Sequence, residues 1–373
     1  MSERYCHVGC YPGADVPEAL HVLKCDTETG AICDVQAVTG VEGASYLQID
    51  REGHWLYTVL GDERKLETKG RVVRFALEGA KVGPMDVLAD LPCPAPCHVG
   101  LSPDGRDVSF AAYRAGTAGC VAASGAGAVR SVVLSDEGVG PNRKRQTKAF
   151  AHFTFFTPDG RWMGVINLGC DRIHFFDPQT MVEDEAMMIR TDPGDGPRHA
   201  VWSRDGRFLF VINELSSTVS SFSFLVEKSE RSNSRTIGQF SCVGKWSTLP
   251  ADFSRWEPDG ETLATKASAI KLTADGKFLL ASNRGYDSIA VFAVDEGTGR
   301  LELKNISRLA GRSPRDFELM PGDRFAVVGY ELDDGIQSYR FDRETGALTP
   351  VGEVVKAWHP VCFKFGRSDS DGV

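Results

Sequence analysis

A short hairpin pattern recurs six times along the chain and constrains the fold more than any other feature. Each copy has an alternating run, a tight turn and an apolar run, and the turns fall at Glu52-Gly53, Asp104-Gly105, Asp159-Gly160, Asp205-Gly206, Asp275-Gly276 and, in reversed order, Gly322-Asp323. An Asp-Gly pair between two such runs is a strong signal for a β-hairpin. The turns are 52, 55, 46, 70 and 47 residues apart, which suits one four-stranded sheet per repeat.

The two ends of the chain supply complementary parts of a seventh sheet. Residues 359–365 look like an inner strand with no turn after it, and residues 5–38 look like the outer strands of a sheet. Joining them closes a ring and hides two sheet edges. Helical periodicity is not convincing anywhere. The sequence therefore predicts an all-β, seven-bladed β-propeller with four antiparallel strands per blade, whose last blade is closed by the N- and C-terminal strands.

We expect residues 1–373 to form this propeller as a single domain. Two stretches interrupt the repeat, about 114–148 and 226–265. The first is rich in Gly, Ala and Ser and ends in a basic run, Pro141-Asn-Arg-Lys-Arg-Gln146. This run has two interpretations: a solvated loop, or a loop over the mouth of the central channel that attracts anions.

Composition narrows the range of partners. The chain has 51 acidic and 42 basic residues and a net charge of −9, which argues against general nucleic-acid binding. No apolar run approaches the roughly 20 residues of a membrane helix, and the N-terminus lacks a signal peptide's features. A cytoplasmic protein without a membrane partner is expected. The ten cysteines are scattered, so reduced thiols are expected, and Cys93-Pro-Ala-Pro-Cys97 is a weak metal motif.

Counting from the turns indicates which side chains converge. Seven positions before each marker stand Ser45, Cys97, His152, Arg198, Ser268 and Arg315. Nine positions after each marker stand Gly61, Tyr113, Leu168, Glu214, Arg284 and Glu331. The inner strands of a propeller line one channel, so both sets should surround it at one face, with Asp316 pointing outward by strand alternation. This ring would be an anion-binding pocket that contains an acid and a base.

Each member of the ring also has a purely structural interpretation. Arg198 and Glu214 could be an ion pair that fastens a hairpin end, His152 could be bonded to backbone, and Arg284 could serve only the turn at Asp287. Four titratable groups on one face of three neighbouring blades favour a functional site, because such groups cluster where chemistry occurs.

Several collinear motifs carry a family resemblance. They include Pro96-Cys-His98, Gly140-Pro-Asn-Arg-Lys-Arg-Gln146, Gly196-Pro-Arg-His199, Asn213-Glu-Leu-Ser-Ser217, Ser282-Asn-Arg-Gly285 and Ser313-Pro-Arg-Asp316. The chain resembles, over essentially its whole length, the lactonase family of seven-bladed propellers, which includes 6-phosphogluconolactonase and fungal carboxy-muconate lactonizing enzyme. The resemblance implies that the catalytic group is His152, Arg198, Glu214 and Arg284. The candidate substrate-binding residues are His98, Tyr113, His199, Arg315 and Glu331.

The pocket departs from the family pattern at several positions. Phe150-Ala-His152 stands where the family often has His-x-His, and Ala269 stands where an acidic residue is common. Asn is common in the family near Ala112, Leu60 and Gly329. These changes affect the prediction of which lactone is the substrate more than they affect the prediction of the type of chemistry.

The expected reaction is opening, or closing, of a sugar or carboxylate lactone without metal or other cofactor. Arg198 and Arg284 would hold the anionic group and the developing oxyanion, and Glu214 or His152 would move the proton. The ligand would be a small anionic lactone or its open-chain acid. Alternatives are a carboxy-muconate cycloisomerase, a non-catalytic binding propeller and a calcium-dependent lactonase, which would need several carboxylates aimed at one centre.

Overall fold

The seven-bladed ring predicted from the turns is confirmed. The computed structural model describes residues 2–11, 18–41, 43–61, 69–135, 140–228 and 236–366. Within these residues the chain forms seven four-stranded antiparallel sheets and two single-turn 3-10 helices, Leu168–Cys170 and Glu185–Met187. None of the helices formed by the described residues is long and apolar enough to cross a bilayer.

We number the blades by their inner strands. Blade 1 contains β4 (Leu47–Ile49), β5 (Trp55–Leu60), β6 (Arg71–Glu78) and β7 (Lys81–Asp90). Blade 2 contains β8 (His98–Leu101), β9 (Asp107–Ala112), β10 (Thr117–Ala122) and β11 (Arg130–Val133). Blade 3 contains β12 (Ala151–Phe156), β13 (Met163–Asn167), β14 (Arg172–Phe176) and β15 (Ile189–Arg190). Blade 4 contains β16 (Pro197–Trp202), β17 (Phe208–Asn213), β18 (Thr218–Lys228) and β19 (Thr236–Ser247). Blade 5 contains β20 (Lys266–Leu272), β21 (Phe278–Arg284), β22 (Ser288–Val294) and β23 (Leu301–Arg308). Blade 6 contains β24 (Pro314–Leu319), β25 (Phe325–Tyr330), β26 (Gly335–Phe341) and β27 (Leu348–Lys356).

Blade 7 closes the ring. Its inner strand is β28 (Pro360–Phe365), and its outer strands are β1 (Glu3–Cys10), β2 (Glu18–Asp26) and β3 (Ile32–Thr39). The two chain ends pair antiparallel, with Val8 opposite Phe363. Inner strands of neighbouring blades contact one another around the whole ring, β28 with β4 included.

The repeated turns share one hydrogen-bond pattern. In blade 4, Ser203 Oγ donates to Asp205 Oδ1 at 2.7 Å, and the same oxygen accepts from the Arg207 backbone N–H. Gly206 has a φ of 72°, which a residue with a Cβ adopts only with strain. The side-chain bond recurs at 2.7 Å in the turns at Asp104, Asp159 and Asp275. The local chemistry of the turn thus explains why it marks these four blades, 2 to 5.

The apolar core lies between the blades rather than inside any one of them. The second strand of most blades is buried along its length, as β17 and β25 are. Phe210 of β17 and Phe292 of β22, for example, belong to one buried cluster that joins blades 4 and 5. Each blade buries its two faces against its neighbours, so the blades stabilise one another and hold the inner strands in a fixed register.

Regular strands lie within both stretches that interrupt the sequence repeat. Strands β10 and β11 fall within 114–148, where they complete blade 2. The stretch 226–265 begins in the long hairpin of β18 and β19. The remaining connections, at 140–150 and 248–265, lie on the channel face that carries the predicted ring, and Lys144 Nζ donates to Thr262 Oγ1 between them at 3.2 Å.

Candidate active site

Three inner strands carry a β-bulge at a predicted site residue. Arg198 has no partner of its own between the pairs Pro197↔Asn213 and His199↔Ile212. His152 in β12 and Arg315 in β24 occupy the equivalent unpaired position. A bulge re-aims the side chains on either side of it. Two successive residues of one strand can therefore both face the channel, which simple alternation does not allow.

Glu214 is the centre of the site. Its Oε1 accepts a hydrogen bond from Arg145 Nη2 at 2.6 Å. Its Oε2 lies 3.0 Å from Arg198 Nε and 2.9 Å from Arg284 Nη2. Glu214 follows β17, and its backbone N–H donates to the Gly196 carbonyl at 2.7 Å. One buried carboxylate is thus surrounded by three guanidinium groups, two from the strands β16 and β21 and one from the connection at 140–150.

These charges fix the protonation state of the carboxylate. Burial alone raises the pKa of Glu214, but Arg284, Arg145 and Arg198 together hold it well below its usual value. Burial and the neighbouring Arg284 lower the pKa of Arg198 to about 10. At neutral pH the carboxylate is therefore ionised and the guanidinium groups are charged, so the cluster carries a net positive charge.

A second pair, Arg315 and Glu331, lies on blade 6. Arg315 Nη1 is 3.6 Å from Glu331 Oε1, and Arg315 Nη2 donates to the Tyr11 hydroxyl at 2.5 Å. Ser313 Oγ donates to the other Glu331 oxygen at 2.9 Å. Burial raises the pKa of Glu331, but Arg315, Arg284, the Ser313 hydrogen bond and Arg198 together hold it below its usual value. Both blade-6 residues therefore belong to the same electrostatic neighbourhood as Glu214.

His152 adjoins this charged group as an uncharged imidazole. It is 8% exposed, and its Nδ1 has no hydrogen-bond partner among the described residues. Burial and then Arg198 hold its pKa well below 6.5, although Glu214 acts in the opposite direction. Its ring lies 5.4 Å from that of Tyr113, which stacks on Phe150. Nδ1 therefore makes none of the backbone bonds that the structural interpretation of His152 requires.

A layer of aromatic rings lies below the arginines. It is formed by Tyr46, His98, Phe153 and His199. In sequence, these residues directly follow Ser45, Cys97, His152 and Arg198, respectively. The rings of His98 and Phe153 are 3.9 Å apart, and those of Phe153 and His199 are 4.7 Å apart. His98 Nδ1 is engaged by Thr154 at 3.1 Å. Burial holds the pKa of His98 and of His199 well below 6.5.

His199 supports Arg198 from this layer. Arg198 Nη1 lies 2.9 Å from His199 Nε2 and also donates to the Ser268 carbonyl at 2.9 Å. Both His98 and His199 are buried, at 2% and 6% exposed. The structure thus places these two candidates beneath the arginines and not at the rim, and their contact with substrate stays a prediction.

Below the aromatic rings lies an ionic cluster with one buried member, Asp316, and three partly buried ones. Lys271 Nζ is 2.9 Å from Glu318 Oε2 and 3.4 Å from Asp316 Oδ1, and Lys364 lies 4.0 Å from Glu318. The outward orientation expected for Asp316 is wrong: it is 2% exposed and accepts a hydrogen bond from the Phe363 backbone. The bulge at Arg315 accounts for this, since it turns the next side chain inward. The charges of the two lysines and two carboxylates cancel in this cluster. The net positive charge of the channel therefore lies at the mouth.

Arg145 is the site residue that counting from the turns missed. It belongs to the basic run 141–146, which lies over the mouth, and its Nη2 contacts both Glu214 and the Tyr113 hydroxyl, the latter at 3.3 Å. A loop residue has no register relative to the strands. The sequence signals for this loop were its run of positive charge and the motif Gly140-Pro-Asn-Arg-Lys-Arg-Gln146, which shares in the family resemblance.

Arg284 reaches the carboxylate rather than the turn behind it. Asp287 Oδ1 accepts from the backbone N–H groups of Gly285 and Ser313, whereas Arg284 contacts Glu214 and the Ala267 carbonyl. Within the described chain, no group of three or more His, Cys, Asp and Glu side chains is placed to hold a metal ion. Most of the charged groups that converge here are guanidinium groups, which are donors to an anion.

The comparisons with known proteins agree with this architecture. The family model described as lactonase, 7-bladed beta-propeller, matches residues 5–365. A 6-phosphogluconolactonase of Bacillus subtilis is 28% identical over 98% of this chain and 99% of its own length, and one of Formosa agariphila is 26% identical over 91% and 93%. The solved structure of a periplasmic gluconolactonase from Pseudomonas aeruginosa is 26% identical, covers 98% of this chain and 99% of that one, and superposes with a TM-score of 0.82. The chain belongs to the lactonase family of seven-bladed β-propellers.

Proposed function

We propose that this protein hydrolyses an anionic sugar lactone. This is the type of reaction for which two of its relatives are named 6-phosphogluconolactonase. The observation that carries the proposal is the charge of the mouth. Four guanidinium groups (Arg145, Arg198, Arg284 and Arg315) share two carboxylates beside an uncharged histidine. Arginine is suited to carboxylate and phosphate oxygens because its planar donors match them.

The deepest arginines are assigned to the reacting end of the lactone. Arg198 and Arg284 are held by backbone carbonyls and by Glu214 before any ligand arrives. Donors fixed in this way stabilise the charge that develops on the carbonyl oxygen without having to reorganise. Glu214 is assigned the role of holding them in place, since both of its oxygens are committed to guanidinium groups.

His152 is assigned as the base. A carboxylate paired with three arginines accepts a proton poorly, whereas the imidazole is uncharged at neutral pH. His152 takes a proton from water as the water oxygen bonds to the lactone carbonyl carbon. The ring C–O bond then breaks, and the imidazolium returns the proton to the departing oxygen. The product is the open-chain hydroxy acid, ionised at neutral pH, and Glu214 favours the transient imidazolium electrostatically.

The test is hydrolysis of 6-phosphogluconolactone, followed by base uptake and corrected for the spontaneous reaction. Wild type should accelerate it, and His152→Asn should lower kcat by about 10²- to 10⁴-fold, the contribution of a general base. Retention of full activity in His152→Asn would exclude the assigned mechanism. Loss of wild-type activity with a chelator would favour the calcium-dependent alternative, and turnover of carboxy-muconate alone would favour cycloisomerisation.

A further inference from the structure

The connection that carries Arg145 is a rigid structure. The Asn142 side-chain oxygen accepts from the backbone N–H of Arg145 at 3.1 Å, and the Asn142 carbonyl accepts from that of Gln146 at 2.8 Å. Gln146 is fully buried, and its Nε2 donates to the Leu168 carbonyl at 3.2 Å. The backbone around Arg145 is thus fixed to blade 3, and its guanidinium is held in one place over the mouth.

Arg145 differs from the other arginines around Glu214 in its access to solvent. Its side chain is 31% exposed, whereas those of Arg198 and Arg284 are 3% and 11% exposed. Its contacts with Glu214 and Tyr113 both use Nη2. Its Nε and Nη1 have no hydrogen-bond partner in the part of the chain that the structure describes. The N–H of Nε and the two N–H groups of Nη1, which lie on different edges of the guanidinium, therefore remain for a ligand at the rim.

Charge balance separates Arg145 from Arg315 as well. Arg315 has Glu331 nearby, and its Nη2 is engaged by Tyr11. Arg145 shares a single carboxylate with two deeper guanidinium groups, so the uncompensated positive charge lies on its side of the mouth. An anion at this position gains the most from the local field.

We infer that Arg145 determines specificity for a negatively charged group on the substrate, remote from the lactone carbonyl. This inference rests on the proposed function. The carbonyl end lies against Arg198, Arg284 and His152, and the substrate extends outward to the rim. There Nη1 of Arg145, which carries two N–H groups, donates to an oxygen of a phosphate or carboxylate. A hydrogen bond from a charged donor distinguishes an anionic lactone from a neutral one of the same ring.

The experiment compares kcat/KM for 6-phosphogluconolactone and for gluconolactone, which lacks the phosphate. Arg145→Ala should lower the value for the phosphorylated lactone by about 10- to 100-fold, the range for hydrogen bonds to charged groups. It should change the value for the neutral lactone less than about 3-fold, because Glu214 keeps Arg198 and Arg284. Arg145→Lys, which retains the charge without the planar guanidinium, should fall between wild type and Arg145→Ala.

Arg143→Ala is the matched control, because Arg143 is exposed and belongs to the same loop. It removes one positive charge near the mouth and should leave the preference between the two lactones within about 3-fold of wild type at 0.15 M salt. Equal losses in Arg143→Ala and Arg145→Ala would reduce the effect to net charge and overturn the inference. Equal losses on both lactones in Arg145→Ala would place the residue in the chemistry instead.

Binding of inorganic phosphate separates this inference from the proposed reaction. Calorimetry should show weaker phosphate binding in Arg145→Ala than in Arg143→Ala, whether or not wild type hydrolyses a lactone. Absence of turnover with this pattern intact would overturn the reaction and leave the anion site. Equal phosphate affinity in the two variants would overturn the role of Arg145 even if wild type is a lactonase.

Discussion

Arg198 and Glu214 stand eight residues before and eight residues after the same turn glycine, and Nε of the arginine lies 3.0 Å from Oε2 of the glutamate. Both side chains are almost fully buried. A buried pair on its own contributes little to stability, because desolvation offsets the attraction. Here the glutamate also contacts Arg145 and Arg284, so the pair organises a positive pocket at the end of a hairpin.

Neutralising Glu214 should therefore tighten anion binding. Glu214→Gln removes the carboxylate that offsets three guanidinium groups, and inorganic phosphate should bind about 5-fold more tightly or better. Arg284→Ala should weaken it by a similar factor. Calorimetry at low salt measures both. Arg106 provides a control, because it lies beside the Asp104-Gly105 turn of blade 2, at the end of that hairpin away from the mouth. Arg106→Ala should leave the phosphate affinity unchanged. Equal phosphate affinity in wild type and Arg284→Ala would remove Arg284 from the site.

The turn chemistry explains how much of this site was predictable. Each Asp-Gly turn fixes the pairing of two strands, so positions at equal distances from the turns meet at one end of the channel. This argument located His152, Arg198, Glu214 and Arg284 at one mouth. It worked because the propeller repeats one local structure, and because the turn residues are encoded within five consecutive positions, Ser203 to Arg207 in blade 4.

The same argument could not predict the layers beneath the mouth. A bulge adds one residue without a sequence signature, since neither Arg198 nor His152 differs in type from an ordinary strand residue. Alternation therefore assigned Asp316 to the outside, whereas it lies buried in the ionic cluster. Arg145 was not predicted as a site residue for another reason. Its position depends on hydrogen bonds of Asn142 and Gln146 within a loop, and these are not reflected in any sequence periodicity.

Folding stability should fall as the pH drops below 6.5. His98, His152 and His199 have pKa values held well below 6.5, chiefly by burial. Their unfolded forms bind protons first, so acidification favours unfolding. Each should cost about 1 kcal/mol between pH 7.5 and pH 5.5. The measurement is urea unfolding at both pH values in wild type and His152→Asn. The variant should lose about 1 kcal/mol less than wild type, and an identical pH dependence would contradict the burial of an uncharged His152.

The ionic cluster below the aromatic rings should be sensitive to removal of one member. Lys271→Met leaves the buried Asp316 and the partly buried Glu318 without their nearest cation, and the free energy of unfolding should fall by about 3–5 kcal/mol. Adding Asp316→Asn should recover part of the loss, because it removes one of the uncompensated charges. The control is Lys304→Ala, which breaks an ion pair to the largely exposed Glu302 and should change stability by less than about 1 kcal/mol. Similar losses for Lys271→Met and Lys304→Ala would show that the cluster is not electrostatically coupled.

Removing the inner strand of blade 7 should destabilise the whole ring. Strand β28 pairs with β1 and contacts β24 and β4, and Val361, Cys362 and Phe363 are buried in it. A chain that ends at Trp358 exposes the edge of β1 and opens the contacts on both sides of the blade. We expect this chain to lose its cooperative urea transition or to aggregate. A synthetic peptide of residues 359–366 should restore the transition in a concentration-dependent way, because it supplies the missing strand. An unfolding midpoint equal to that of wild type, without the peptide, would mean that closure by the terminal strand contributes nothing to stability.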